Sequence, residues 1–345
     1  MKQTVVVGLS GGVDSAVCAL LLKEQGYNVV GVTMETWGDD RGDYVTDAKK
    51  VADTLGIAHH VVDFREKFRE KVVNYFIKEY NLGRTPNPCI MCNRYVKWEA
   101  LMHRGLEFDA EYVATGHYGK IIKLPNGRYS VAKSYSMGKD QSYVLYSLTQ
   151  EELSRTLFPL YEYEKDEIRK IAAANNLPVA DKKESQDICF IPDHDYVSFI
   201  EKQTGIKSVP GEFVDMDGKV LGMHKGIMHY TVGQRKGLGI AFGEPKFVVG
   251  INSERNQVVL GSAEDLMVTR VVLEDVNYMS VDDINEPIEV TGKLRYSQKD
   301  SPCILFKDEN GRLNAEFDEP MRAATPGQSA VFYNEDCIIC GGIII

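Results

Sequence analysis

The chain is poor in cysteine, in long apolar runs and in repetitive sequence. Seven cysteines in 345 residues are too few for the disulfide framework that staples small secreted domains. No apolar run approaches the ~20 residues that cross a bilayer, and the opening MKQTVVVG lacks the layout of an export signal. The expectation is a cytoplasmic protein with reduced thiols. There, paired cysteines are more often catalytic, redox-active or metal-binding than structural. Hydrophobic residues at 43% and charged residues at 26% exclude a disordered or collagen-like chain. At roughly 150 residues per domain, the length implies two or three domains.

The net charge of −10 argues against indiscriminate coating of nucleic acid, but the charge is unevenly spread. Residues 268–345 carry −7 and the rest only −3. From His117 to Lys139 there are five cations (Lys120, Lys123, Arg128, Lys133, Lys139) and no carboxylate. Gly218 to Gly243 holds Lys219, Lys225, Arg235 and Lys236, again without a carboxylate. Such stretches on an acidic protein suit docking of one polyanion in one orientation; solvated loops of chance composition would read the same way.

The first part alternates strand and helix. Thr4–Gly8 and Asn28–Met34 read as strands around a helix over Asp14–Gln25, and a helix over Asp47–Leu55 leads to a strand at His59–Asp63. Glu66–Tyr80 follows as an amphipathic helix, then a strand at Glu111–Thr115, a strand-like Tyr143–Leu148 and a helix over Lys165–Asn175. This predicts a mostly parallel sheet with helices on both faces. After about residue 195 glycine and short β-type runs dominate, and from Val268 short alternating strands recur. The division expected is residues 1–195, a small β-rich unit over 196–267, and an antiparallel barrel or sandwich over 268–345.

Gly8-Leu9-Ser10-Gly11-Gly12-Val13-Asp14-Ser15 follows the first strand and opens the first helix. Glycines let backbone amides approach an anion, Ser10 and Ser15 add hydroxyls, and a helix N-terminus favours negative charge. No lysine follows the glycines, so this is not a Walker loop, and the dinucleotide spacing Gly-x-Gly-x-x-Gly is absent. SGGVDS matches the pyrophosphate-binding loop of the ATP pyrophosphatase superfamily, which splits ATP into AMP and pyrophosphate. That chemistry turns a carbonyl oxygen into an O-adenylate, which a nucleophile then displaces. Magnesium is expected with the polyphosphate, and Asp14 is placed either to contribute to it or to cap the helix.

A proline-stiffened segment, Thr85-Pro86-Asn87-Pro88-Cys89-Ile90-Met91-Cys92-Asn93, presents one Cys-x-x-Cys, and Ser185-Gln186-Asp187-Ile188-Cys189-Phe190 a further thiol. Two separated cysteines beside an ATP site fit sulfur transfer, one carrying a persulfide and the other resolving it. Three would also serve as ligands of a [4Fe-4S] cluster with one open iron. Cys337-Ile338-Ile339-Cys340 lies in a strand-like run with no nearby second ligand pair, and reads as core, as does Cys18. His59-His60 reads as structural.

The chain resembles the bacterial tRNA-specific 2-thiouridylases along essentially its whole length. The segments that carry the likeness are GLSGGVDS (8–15), TMETW (33–37), GRTPNPCIMCN (83–93), ATGHY (114–118), KDQSYVLY (139–146), ESQDICFI (184–191), HYTVGQRKGLGI (229–240), RYSQKD (295–300) and EPMRAATPGQSAVFY (319–333). The resemblance implies a Rossmann-like sheet of the adenine-nucleotide alpha hydrolase type, a small central domain and a C-terminal β-barrel. It implies adenylation of the 2-carbonyl oxygen of a wobble uridine in tRNA, then sulfur insertion. ATP contacts then fall on Gly8 to Ser15, Met34 and Gly116; the nucleophile on Cys92; the persulfide on Cys189. Contacts to the target base fall on Asn87, Pro88 and Cys89, and further tRNA contacts on His117, Lys139, Asp140, Gln141, Arg295, Tyr296 and Gln328. A splayed-out anticodon base can be read on its edges in a pocket, and Arg235 is expected at phosphate. The family usually receives sulfur from a cysteine desulfurase or a relay protein. Many members have Asp where this chain has Cys89, which leaves persulfide transfer and a cluster on Cys89, Cys92 and Cys189 both open. The loop from Trp37 to Asp47 is also short for the family. The rival readings are a ligase that adenylates a small metabolite, and a noncatalytic tRNA-binding or iron–sulfur protein.

Overall fold

In the computed structural model, the described residues are 2–38, 43–136, 138–182, 188–240 and 243–345. Residues 39–42 of the short loop and 184–187 of the ESQDICFI segment therefore lie outside them.

The first unit lays down β1 (Thr4–Gly8), β2 (Asn28–Glu35), β3 (Ala58–Asp63), β4 (Tyr112–Ala114), the hairpin β5 (Lys120–Lys123) and β6 (Tyr129–Ala132), and β7 (Thr156–Leu157). Five of these form a parallel sheet in the order β3-β2-β1-β4-β7. Its central strand is a run of valines, and β-branched side chains suit a strand buried on both faces. Val5 and Val7 point to a core shared with the helices Val13–Glu24 and Lys165–Ala174, while Val6 points to another with Trp98, Leu101 and Met102. Both faces are helix-covered, as the alternation predicted. Chain order reverses between β1 and β4. Open parallel sheets take their ligands at such a switch, beyond the strands' C-terminal ends.

Two segments depart from the sequence reading. Ser142–Leu145 is a 3-10 turn rather than a strand: Tyr143, Leu145 and Leu148 are fully buried in a core that suits either geometry. The basic stretch after His117 is the β5–β6 hairpin, stitched to the C-terminal barrel instead of the parallel sheet.

The central unit has β8 (Gly211–Val214), β9 (Val220–His224), β10 (Phe247–Asn252) and β11 (Gln257–Gly261), in the order β10-β11-β8-β9. The last unit has β12 (Met267–Tyr278), β13 (Ile288–Lys293), β14 (Ser301–Lys307), β15 (Leu313–Arg322), β16 (Ser329–Asn334) and β17 (Cys337–Ile344). Their order β12-β15-β14-β13-β16-β17, with β12 also paired to β17, closes a six-stranded antiparallel barrel. Closure leaves it no free edge. Cys303 and Cys340 are buried in its core, and Cys18 in the helix Val13–Glu24. Among the described residues no helix is long and apolar enough to cross a membrane.

Candidate active site

The glycine loop sits at the C-terminal end of β1, where the switch point places it. Gly11 has φ +68°, and a Cβ there would lie 2.4 Å from the backbone oxygen of Tyr44, so only glycine fits. Ser15 Oγ donates to the Gly12 oxygen at 3.0 Å and accepts from Ser10 N at 3.1 Å. Gly12 caps the helix Val13–Glu24 without a side chain, which leaves the first amides open toward an incoming anion. Leu9 and Val13 are buried and hold the loop to the sheet; Leu9 N donates to Val32 O at 2.8 Å. The loop has no lysine of its own, but two arrive from far along the chain. Lys165 Nζ lies 2.6 Å from Asp14 Oδ1, which Tyr118 OH also contacts at 2.8 Å, and Lys182 Nζ bridges Gly11 O (3.0 Å) and Asp47 Oδ2 (2.7 Å).

Across the switch point, β4 ends in Thr115-Gly116-His117. A Cβ on Gly116 would lie 2.7 Å from the carbonyl carbon of Asp14, which locks this turn onto the loop. His117 stacks near Trp98 and Phe158. Burial, then the charge of Lys97, holds its ring well below the ordinary histidine range. A neutral ring with Lys97 Nζ at 3.5 Å from Nε2 accepts there, so Nδ1 carries the proton and donates to Thr115 Oγ1 at 2.6 Å.

The thiols lie on the other side of Lys97. Asn87 caps the helix Pro88–Cys92 by accepting from Cys89 N at 3.1 Å, with Pro88 in the first turn. The helix then widens into a π-turn over Asn93–Trp98. In a regular α-helix Val96, four residues on, would follow Cys92 on its face; the wide turn sends Val96 and Trp98 into the core and brings the Lys97 charge to Cys92. Burial pushes the Cys92 thiol up to about 12, against the pull of Lys97. Cys189 is solvent-exposed yet walled by protein, which, together with Cys89, pushes its thiol up to about 11. Cys92 and Ile188 both pack against the apolar cluster that holds Phe190 and Ile191. The phenol of Tyr44, raised by burial and Glu35, also feels Cys189. Tyr44 lies against Gly11 and feels Cys189, while Lys97 contacts His117 and acts on both Cys92 and Cys189. Met34, half-buried at the end of β2, touches the same cluster. An open cleft of 710 Å³, lined in part by Trp37, Arg65, Phe190 and Phe199, borders the segment just after Cys189.

The residues expected at tRNA divide into two groups. Thr85 meets all three units: its amide donates to Pro326 O at 2.9 Å, its oxygen accepts from Gln328 Nε2 at 2.7 Å, and its hydroxyl is 3.1 Å from that of Thr231. Arg295 Nη2 reaches Ala323 O (2.9 Å) and Thr325 Oγ1 (2.6 Å), and Gln328 meets Thr85, two residues before Asn87, so both side chains help to hold the units together. Tyr296 is exposed and stacks edge-on with Tyr143. Asp140, by contrast, is buried and accepts from Ser134 N and the Ser142 amide and hydroxyl. Gln141 pairs with Tyr118, and Lys139 lies half-buried on the same turn. Of the five cations in the basic stretch, Arg128 is spent on Asp282 and the Tyr278 and Met279 carbonyls, and Lys133 on Asp300 at 2.9 Å. These two hold the barrel in place. Arg235 lies over the Phe247 ring. Among the described residues no three Cys, His, Asp or Glu side chains are gathered to hold a metal.

Three family models match in sequence: the tRNA methyl transferase HUP domain over residues 3–193, the tRNA methyl transferase PRC-barrel domain over 197–262, and the aminomethyltransferase beta-barrel domain over 268–344. The tRNA-specific 2-thiouridylase MnmA of Lachnoclostridium phytofermentans is 51% identical, with 100% of both chains covered. The chain belongs to the tRNA-specific 2-thiouridylase family. The family member of Clostridioides difficile is 48% identical, covering 100% of this chain and 98% of its own. A solved 4-thiouridine synthetase in an RNA complex with bound ATP is similar at 18% identity and TM-score 0.39, over 59% of this chain and 50% of that one.

Sequence reasoning missed Lys97, Lys165, Lys182, Tyr44 and Tyr118. A loop without its own lysine is the one signal that cations must come from elsewhere, and it does not say from where.

Proposed function

We propose that this 2-thiouridylase performs ATP-dependent 2-thiolation of the wobble uridine of tRNA in the cytoplasm. The observation that carries the reading is the convergence of the glycine loop, the Gly116–His117 turn and both thiol segments at the switch point of one parallel sheet. ATP enters as its magnesium complex. Magnesium on a polyphosphate needs only one or two protein carboxylates, and Asp14 at the loop, with Asp47 held beside it through Lys182, would supply them. The amides of Gly11 to Ser15 take the polyphosphate, with Lys165 and Lys182 adding positive charge.

Attack by the uridine O2 on the α-phosphorus releases pyrophosphate and leaves an O-adenylate. A sulfane sulfur carried by Cys189 attacks C2, and AMP departs with the oxygen and its electron pair. Cys92 then attacks Cys189 Sγ, which frees 2-thiouridine and leaves a Cys92–Cys189 disulfide. Arg295, Tyr296 and Gln328 meet the tRNA, and a cysteine desulfurase or relay protein supplies sulfur to the exposed Cys189. A [4Fe-4S] cluster on the three cysteines draws no support from their arrangement, and no step passes through one.

The test is thiolation of unmodified tRNA by Cys189→Ala, read by mass spectrometry of nucleosides. Loss of 2-thiouridine is expected; formation at the wild-type rate overturns the sulfur assignment. Pyrophosphate release that needs a small acid and no tRNA would instead indicate a metabolite ligase.

A further inference from the structure

Cys89 and Cys92 open one helix three residues apart. Helix geometry separates such Cα atoms by about 5 Å, inside the roughly 4.4–6.8 Å that a disulfide spans. The start of the helix is fixed by the Asn87 cap and Pro88, so the pair is held at that spacing. Burial differs sharply within the pair. Cys89 is exposed, whereas Cys92 is half-buried against the apolar cluster that includes Phe190 and Ile191. Cys189 is exposed on the adjoining segment and feels Cys89 directly. All three thiols are unbonded, and Cys92 is the more buried between two exposed partners.

We propose that Cys89 is the resolving thiol of this enzyme, which transfers the oxidising equivalents of a turnover onto a Cys89–Cys92 disulfide. The proposal rests on the sulfur-transfer reading above, which leaves Cys92 joined to Cys189. Cys89, having lost its proton to solvent, attacks Cys92 Sγ. The Cys89–Cys92 bond forms as the Cys92–Cys189 bond breaks, and Cys189 leaves as a thiolate that takes up a proton. Exchange of this kind neither gains nor loses electrons. The oxidised pair now has one sulfur, that of Cys89, in solvent, where an external dithiol can attack and return two electrons. Cys189 is meanwhile free to receive the next sulfur. A carboxylate at position 89 could not do this, so the Cys-x-x-Cys form of the site carries its own recycling step.

The experiment uses the full chain, with Cys189 loaded with sulfane sulfur from polysulfide, then given unmodified tRNA and MgATP without reductant. After an acid quench and alkylation, peptide mass spectrometry maps the disulfide. Wild type is expected to show Cys89–Cys92 with Cys189 alkylated, and Cys89→Ser to stop at Cys92–Cys189. With excess dithiol present, Cys89→Ser should lose at least about tenfold in steady-state turnover relative to its own first-turnover burst. Wild type that stops at Cys92–Cys189 with Cys89 alkylated overturns the proposal. If wild type makes no 2-thiouridine, the sulfur-transfer reading fails instead; diamide oxidation of the full chain then still tests the pair. Cys89–Cys92 supports it, and a bond from Cys189 to either partner overturns it.

Discussion

Lys165 Nζ lies 2.6 Å from Asp14 Oδ1, although the two are 151 residues apart in the chain. The lysine starts a helix on one face of the sheet, and the aspartate starts the helix of the glycine loop. The pair is mostly shielded, with side-chain exposures of 12% and 31%. Lys165→Gln is expected to cost about 1.5–3 kcal/mol, the range for hydrogen bonds to charged groups, and to raise the KM for ATP. Urea unfolding and initial rates check this; a loss below about 0.5 kcal/mol would make the contact a surface pair.

Gly116→Val is expected to abolish adenylation while tRNA binding persists. A Cβ at Gly116 meets the backbone of Asp14 and Ser15 at 2.7 and 2.8 Å, and backbone cannot move aside as a side-chain tip does. Pyrophosphate release should fall by at least about a hundredfold, since misplacement of ~1 Å is enough for that. Full activity would mean that the loop and the turn separate in the working enzyme.

Alkylation of Cys189 should stay slow at neutral pH and climb steeply. With its thiol pushed up to about 11 by burial and by Cys89, the thiolate fraction rises about tenfold per pH unit below that value. Iodoacetamide incorporation at Cys189, read by peptide mass spectrometry between pH 7 and 9, should rise by about a hundredfold. A plateau by pH 8.5 would contradict the walled-in environment.

Acidification should destabilise the fold before its carboxylates titrate. His117, His59, His224 and His229 are all held below the ordinary histidine value, chiefly by burial. The unfolded chain therefore binds more protons, so their stabilisation is complete above pH ~6.5 and declines as pH falls below it. Glu79 and Glu152, raised by burial, act in the opposite sense. The specific readout is His117 itself: nitrogen NMR should show a neutral Nδ1–H ring that stays unprotonated well below the ordinary histidine range, and protonation near 6.5 would refute its burial.

The parts legible in the sequence are those written in short-range pattern. Valine runs gave the central strands, the SGGVDS string the anion loop, and the proline-stiffened segment the Cys89–Cys92 pair, though not the helix that carries it. Short alternating strands left barrel and sandwich both open over 268–345, and the β12–β17 pairing decides for the barrel. What was not legible depends on distant partners or on helix phase. Lys97 reaches the thiols through a π-turn that ordinary helical periodicity does not register. Arg128 and Lys133 read as a polyanion patch, because sequence does not reveal that Asp282 and Asp300 neutralise them. Tyr143 and Leu145 are buried in a 3-10 turn that alternation cannot separate from a strand.

The β5–β6 hairpin has a consequence for the order of biosynthesis. Ser130 on β6 donates to the Ile338 carbonyl on β17, a partner 208 residues downstream. At ribosomal speeds of about 5–20 residues per second, the hairpin waits roughly ten to forty seconds for its neighbour to emerge. Until then the outer edge of β6 stays unpaired, so chains stalled during translation expose a strand edge of the kind that chaperones and proteases engage.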